Sequence, residues 1–232
     1  MSERKRPIIA IDGPAGAGKS TVARRLAAEL GYVLVDTGAM YRAVALAATR
    51  AGVPWNDAER VAGLARGMVA ARSLVFERDD ELGVRVKLAG EDVSEAIRTP
   101  DIAQGASTVS AHPEVRAVLL DLQRQAGQDG GVVLEGRDIG TVVFPDAEVK
   151  FFLTASPEVR ARRRHAELVA KGQNVTFEET LAEVKERDAR DEGRAVAPLR
   201  KAEGAIVVDS TSMTIDETVA TMLAKVREVA KG

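Results

Sequence analysis

Ile8-Ile9-Ala10-Ile11-Asp12-Gly13-Pro14-Ala15-Gly16-Ala17-Gly18-Lys19-Ser20 is the stretch whose reading decides the fold. Its first four residues are apolar and mostly branched, with no polar alternation, which predicts a strand covered on both faces. Gly13 to Ser20 then matches G-x-x-x-x-G-K-[ST], and amphipathic helical spacing follows over residues 20–30, up to Gly31. Strand, glycine loop and helix in that order make a phosphate cradle. The glycines let backbone N–H groups turn inward, the helix adds its positive end, and Lys19 adds a point charge. The expected contacts to a nucleoside triphosphate, taken as ATP, are Gly13, Pro14, Ala15, Gly16, Ala17, Gly18, Lys19, Ser20 and Thr21, with Ser20 also a direct Mg2+ ligand. A glycine turn capped by Ser20 would carry the same letters without a ligand, but it would not require a strand before and a helix after.

Four more apolar runs, 33–35, 132–134, 149–153 and 206–208, resemble the first, and helical stretches rich in Ala, Leu, Glu and Arg separate them. Those helices are expected at 39–51 before Gly52, 114–126 before Gly127, 156–171 before Gly172, 176 to about 189, and 215–229. The pattern predicts an α/β protein of the P-loop NTPase class with a parallel sheet. Residues 55–101 break the rhythm. A helix at 57–72 is followed by two short strands, 73–77 and 84–88, around Arg78-Asp79-Asp80-Glu81-Leu82-Gly83, so a small hairpin subdomain is expected as an insert.

Totals narrow the classes. The 232 residues carry 33 basic and 35 acidic side chains, a net charge of -2, so nothing draws the whole chain to nucleic acid or an anionic membrane. There is no cysteine and there are two histidines, which excludes thiolate sites and leaves oxygen as the donor for any cation. Without a leader or an apolar stretch near ~18 residues, the expected location is the cytoplasm. No exposed apolar seam is evident in the sequence, and a monomer is expected.

Polar clusters follow the predicted strands. Asp36-Thr37-Gly38-Ala39-Met40-Tyr41-Arg42 places a hydroxyl and a guanidinium where open α/β sheets bind ligands, although Thr37 could equally cap the next helix. Leu134-Glu135-Gly136-Arg137-Asp138-Ile139-Gly140-Thr141 puts Glu135 at a strand end, positioned to hold Mg2+ through water. Arg160, Arg162, Arg163 and Arg164, then Arg187, Arg190 and Arg194, flank Lys171-Gly172-Gln173-Asn174. Any one of these arginines reads as a solvated face, but together they suggest a cover that brings guanidinium groups onto transferring phosphates.

With these residues in place, the chain from about Pro7 to about Val226 closely resembles the bacterial cytidylate kinases. The marks are Ile11-Asp12-Gly13-Pro14, the Asp36 to Arg42 run, Glu135 to Pro145, Lys185-Glu186-Arg187-Asp188 and Arg194-Ala195-Val196-Ala197-Pro198-Leu199. The resemblance implies an adenylate-kinase-like core of five parallel strands in one chain. Core would be 1–36, 107–155 and 190–232, an enlarged monophosphate-binding region 37–106, and a lid 156–189. It implies phosphoryl transfer from ATP with Mg2+ to CMP or dCMP. It further implies a CMP site of Thr37, Arg42, Ser107, Arg116, Arg137, Asp138, Arg187, Asp191 and Arg194, with Lys19, Arg160, Arg187 and Arg194 as the catalytic cations. Asp138 would accept from the cytosine amino group and repel uracil, which has a carbonyl there. Two other readings remain open: an acceptor such as UMP, AMP or shikimate, and a nucleotide-driven switch. The switch lacks an Asn-Lys-x-Asp motif, and its only Asp-x-x-Gly is Asp80 to Gly83.

Overall fold

The first strand, β1 (Ile8–Asp12), is buried at all five positions. Its alternate residues feed two separate apolar clusters: Ile8 and Ala10 on one face of the sheet, Ile9 and Ile11 on the other. Burial on both faces is why the sequence shows no alternation there. This strand lies in the middle of a five-stranded parallel sheet with β2 (Val33–Asp36) and β6 (Val132–Gly136) on one side, and β7 (Val149–Thr154) and β8 (Ile206–Asp209) on the other. The computed structural model describes residues 6–79 and 83–229, so Asp80, Glu81 and Leu82, within the predicted hairpin and its Asp-x-x-Gly, lie outside the described residues.

Helices cover both faces. α1 (Lys19–Leu30) and α8 (Ile215–Val229) pack on the face of Ile9, Ile11, Phe151 and Leu153. On the opposite face lie α2 (Thr37–Arg50), α3 (Ala58–Ala70), α4 (Pro100–Val109) and α5 (Pro113–Gly127). α6 (Pro157–Ala170) and α7 (Phe177–Glu192) form a hairpin of helices after β7, each started by a side-chain cap, Ser156 and Thr176. The insert holds β3 (Leu74–Asp79), β4 (Gly83–Leu88) and β5 (Glu91–Asp92), an antiparallel sheet of its own. Trp55 anchors the insert: its indole N–H donates to the Ala45 carbonyl at 3.2 Å and to Thr49 Oγ1 at 3.1 Å, and its own carbonyl lies 2.7 Å from His112 Nε2.

All five predicted strands form, each extended by one or two residues, and the helix and two strands read in the insert form as well, joined by the two-residue strand β5 and a short 3-10 turn, Ala96–Arg98, that were not foreseen. Two expectations change. α4 was not foreseen, because Thr99 and Pro100 start it inside a stretch that read as insert, and Thr99 accepts from the Ile102 N–H. As a result, the core boundaries drawn at 107 and 190 fall inside α4 and α7. Gly127 does not end α5 as a left-handed cap; it is the last helical residue, and a Cβ there would lie 2.8 Å from the Phe144 ring. Its function is to let that ring approach. Among the described residues, no helix is long and apolar enough to cross a membrane.

If Gly127 were only a helix residue, Gly127→Ala would add helix propensity of up to ~1 kcal/mol. The ring contact predicts the opposite sign, a loss of roughly 1–3 kcal/mol from overpacking, which urea denaturation measures.

Candidate active site

The parallel register brings the carboxyl ends of four strands together, with Asp12 opposite Gly136, and Glu135 paired with both Ile11 and Asp36. The glycine loop leaves β1 at this edge. Gly13 has φ 153°, and a Cβ on it would lie 1.9 Å from the Leu153 carbonyl oxygen, so only glycine lets the chain turn against β7. Gly18 precedes α1 in the left-handed region, and the first turn of that helix has neither a side-chain cap nor an acidic residue. The N-terminal backbone charge of α1 is therefore left for an anion. Lys19 folds back over the loop and donates to the Pro14 carbonyl at 2.8 Å.

Ser20 donates its hydroxyl to Glu135 Oε2 at 2.9 Å, while Glu135 Oε1 is buried with no partner. Burial pushes the Glu135 carboxyl up, and Asp36 adds to that. Burial likewise pushes the Lys19 ammonium down, with Arg137 contributing. A hydroxyl beside an orphaned carboxylate oxygen, among oxygen donors only, is what a hard cation that keeps most of its water accepts; the residues fit Mg2+.

The second half of the site is a set of arginines held by acids. Arg42 pairs with Asp36 at 2.5 Å. Arg137 pairs with Asp191 at 2.8 Å, and Arg194 pairs with the other oxygen of that carboxylate. Arg116 forms a buried pair with Asp138, donates to the Ser110 carbonyl at 3.2 Å and sits 5.5 Å above the Tyr41 ring. Arg194 also reaches Ser110 Oγ at 3.1 Å. Burial pushes the Asp191 carboxyl up, but Arg137 and Arg194 outweigh it and hold the group below its ordinary range. Among the described residues, the buried polar atoms of this half that have no partner include Arg42 Nε, Ser107 Oγ and Arg187 Nε. Burial, then the neighbouring Arg137, lowers Arg187 to about 10.

The expected residues thus converge, with three differences in detail. Thr37 is not the cap of α2. Asp36 is, accepting from the Ala39 N–H at 3.0 Å, and Thr37 instead donates to the Glu135 carbonyl at 2.7 Å, tying β2 to β6. Arg160 is 3% exposed and fully engaged: it donates to Asp188 through both terminal nitrogens, to the Ala15 carbonyl of the glycine loop at 3.1 Å and to the Ala155 carbonyl at 2.9 Å. Its position braces the loop rather than offering a free guanidinium. Thr21 lies exposed on α1. Sequence reasoning missed Ser110, which joins Arg116, Arg194 and, through its hydroxyl, the Ser107 carbonyl at 3.1 Å. No local signal marks a serine at the end of a helix as a hub.

Comparison with known proteins bears on the family of the chain. The sequence model of the family described as cytidylate kinase matches residues 9–228. A Geobacter sp. (strain M21) protein named cytidylate kinase is 56% identical over 221 residues, 95% of this chain and 93% of that one. One from Syntrophotalea carbinolica is 57% identical, covering 95% and 92%, and one from Caldanaerobacter subterraneus subsp. tengcongensis 52%, covering 97% and 96%. An uncharacterized protein from Eubacterium ventriosum ATCC 27560 has a similar structure, with a TM-score of 0.51 at 12% identity over 96% of this chain and 99% of that one, a likeness of fold alone.

The Arg160 to Asp188 pair is buried, with side chains 4% and 16% exposed, whereas Lys225 to Glu228 is exposed at 45% and 64%. Asp188→Asn is expected to cost on the order of 3 kcal/mol in chemical denaturation, because it strands a buried guanidinium. Glu228→Gln should change stability by less than about 0.5 kcal/mol.

Proposed function

The chain belongs to the cytidylate kinase family, and from that premise we propose how its residues carry a phosphoryl group from ATP to CMP or dCMP. The observation that carries the reading is the group of buried cations around Arg187, whose Nε has no partner and which stands close enough to Arg137, Arg42 and Arg164 for their charges to lower it. Asp191 balances part of this charge, and an anion bound between the members would balance the rest. The phosphates of two nucleotides supply that charge.

The triphosphate lies on the glycine loop, held by backbone N–H groups between Gly13 and Thr21, Pro14 having none to give, and by Lys19, which exchanges the Pro14 carbonyl for a phosphate oxygen. Ser20 and, through water, Glu135 would hold Mg2+, which would supply screening of charge between phosphate oxygens. Arg42, Arg137 and Arg194 leave Asp36 and Asp191 to grip the phosphate of CMP, and Asp191 and Arg187 turn to its ribose. Arg187, Arg194 and Lys19 meet the charge that develops on the transferred group. Arg160 acts through the loop it braces. The attacking oxygen is already anionic, so no side chain has to remove a proton. What the protein supplies is alignment, charge and the exclusion of water.

Base choice falls to Asp138. Arg116 holds Oδ2, fixing the carboxylate as an acceptor for the cytosine amino group, while the unpartnered hydroxyl of Ser107 and the remaining donors of Arg116 face the other base acceptors. The residues proposed for the site all lie in this chain, and among the described residues the exposed large apolar side chains are six valines, Val33, Val75, Val169, Val196, Val207 and Val229, on separate segments. The scatter of these side chains favours a monomer, and the partners of this reading are ATP and CMP or dCMP.

ADP formation from ATP with CMP, dCMP, UMP, AMP, GMP or shikimate tests the assignment, and turnover confined to CMP and dCMP is the expected result. Asp138→Asn should narrow the preference for CMP over UMP by roughly 10- to 100-fold, in line with one lost base contact. Lys19→Ala and Arg194→Ala should each lose about 10³-fold or more in kcat/KM while folding normally. Near-normal turnover in either variant removes that residue from the mechanism.

A further inference from the structure

Asp12 stands between the glycine loop and the segment that carries Asp138. It closes β1, is 2% exposed, and points not at the loop but across to β6. There, one carboxylate oxygen accepts from the Ile139 N–H and the other from the Gly140 N–H, both at 2.8 Å. Those residues open a single wide helical turn, Ile139–Val143, directly after Asp138. At the far end of the turn, Arg124 of α5 donates to the Val142 carbonyl at 3.1 Å and the Val143 carbonyl at 3.2 Å. An acid therefore holds the amino end of the turn and a base its carboxyl end, the signs the turn's dipole favours.

Turns of this wide type are uncommon and cluster where function requires unusual backbone. This one has little propensity of its own, since it consists of Ile, Gly, Thr, Val and Val. Its conformation depends on the clamp. Burial raises Asp12 only to about 6, so at neutral pH the carboxylate is ionised and both backbone donors are engaged.

We infer that Asp12 is a positioning residue for acceptor recognition, fixing the backbone from which Asp138 projects and tying the base-reading carboxylate to the root of the phosphate loop. This rests on Asp138 as the reader of the base. Asp12 touches no nucleotide itself, and its effect passes through Ile139 and Gly140.

Steady-state kinetics of Asp12→Asn test the inference. The amide keeps the size of the side chain but turns an N–H₂ toward one of the two backbone donors. The expected result is a KM for CMP raised about 10-fold, a preference for CMP over UMP reduced by a similar factor, and a KM for ATP within about twofold of the parent. A variant that loses affinity for both nucleotides equally, with its base preference intact, has lost packing rather than positioning, and the inference falls. If Asp12→Asn does not fold, Arg124→Ala decides. Its side chain is exposed, and a rise of about threefold in the KM for CMP alone supports the clamp, while an unchanged KM overturns it. The parent enzyme separates this inference from the proposed function. A parent that does not prefer CMP over UMP sinks Asp138 as the reader, whereas a parent that does, with an Asp12→Asn variant that prefers it equally, sinks only the clamp.

Discussion

The constraint on which the rest depends is an excess of positive charge gathered at one sheet edge. Lys19, Arg42, Arg116, Arg137, Arg187 and Arg194 meet there, faced by Asp36, Glu135, Asp138 and Asp191. Taking cations out of water is costly, so the fold uses Asp36, Asp138 and Asp191 to hold arginines in place, Asp191 holding two, while Glu135 faces Ser20. Arg187 is left over. A protein arranged in this way is partly preorganised for phosphate: the cations are already gathered and desolvated, and what changes with the ligand is the partner each one faces. It also follows that the nucleotides act as part of the structure, since an anion that neutralises the cluster stabilises the folded chain by mass action.

Parallel pairing makes this gathering possible. Ile11, Glu135 and Asp36 are register partners on neighbouring strands, so three segments far apart in sequence end at one height. Arg160 and Asp188 then bind the helical hairpin to the glycine loop from the other side, and a Cβ at Gly16 would lie 3.1 Å from the Cβ of Arg160. The loop is thus shaped by its neighbours as much as by its own glycines.

Much of this was legible in the sequence, for identifiable reasons. Strands buried on both faces read as unbroken apolar runs, and the glycine loop between strand and helix has a spacing that little else requires. Arg42 was reached from its place after a strand, whereas the roles of Asp138 and Arg194 came through whole motifs of a known family, not through spacing. What escaped depended on tertiary contact. Asp36 took the capping role from Thr37 because the Thr37 hydroxyl finds a strand carbonyl across the sheet. Gly127 read as a helix stop but is a gap for a ring, and Arg160 read as a free cation but is enclosed by partners from three segments. Asp12 sits within a quoted motif, yet nothing local says that its partners lie more than a hundred residues away.

The two apolar clusters on either side of the sheet have a consequence for how such a protein changes over generations. Elements that hold the donor nucleotide, β1, α1 and β7, share their interior with α8, whereas α2 to α5, which shape the acceptor side, pack together in the other. Replacements among the acceptor-side helices fall within that half and reach the other interior through shared strands such as β1 and β6. A change on the acceptor side is thereby partly uncoupled from the packing beneath the glycine loop.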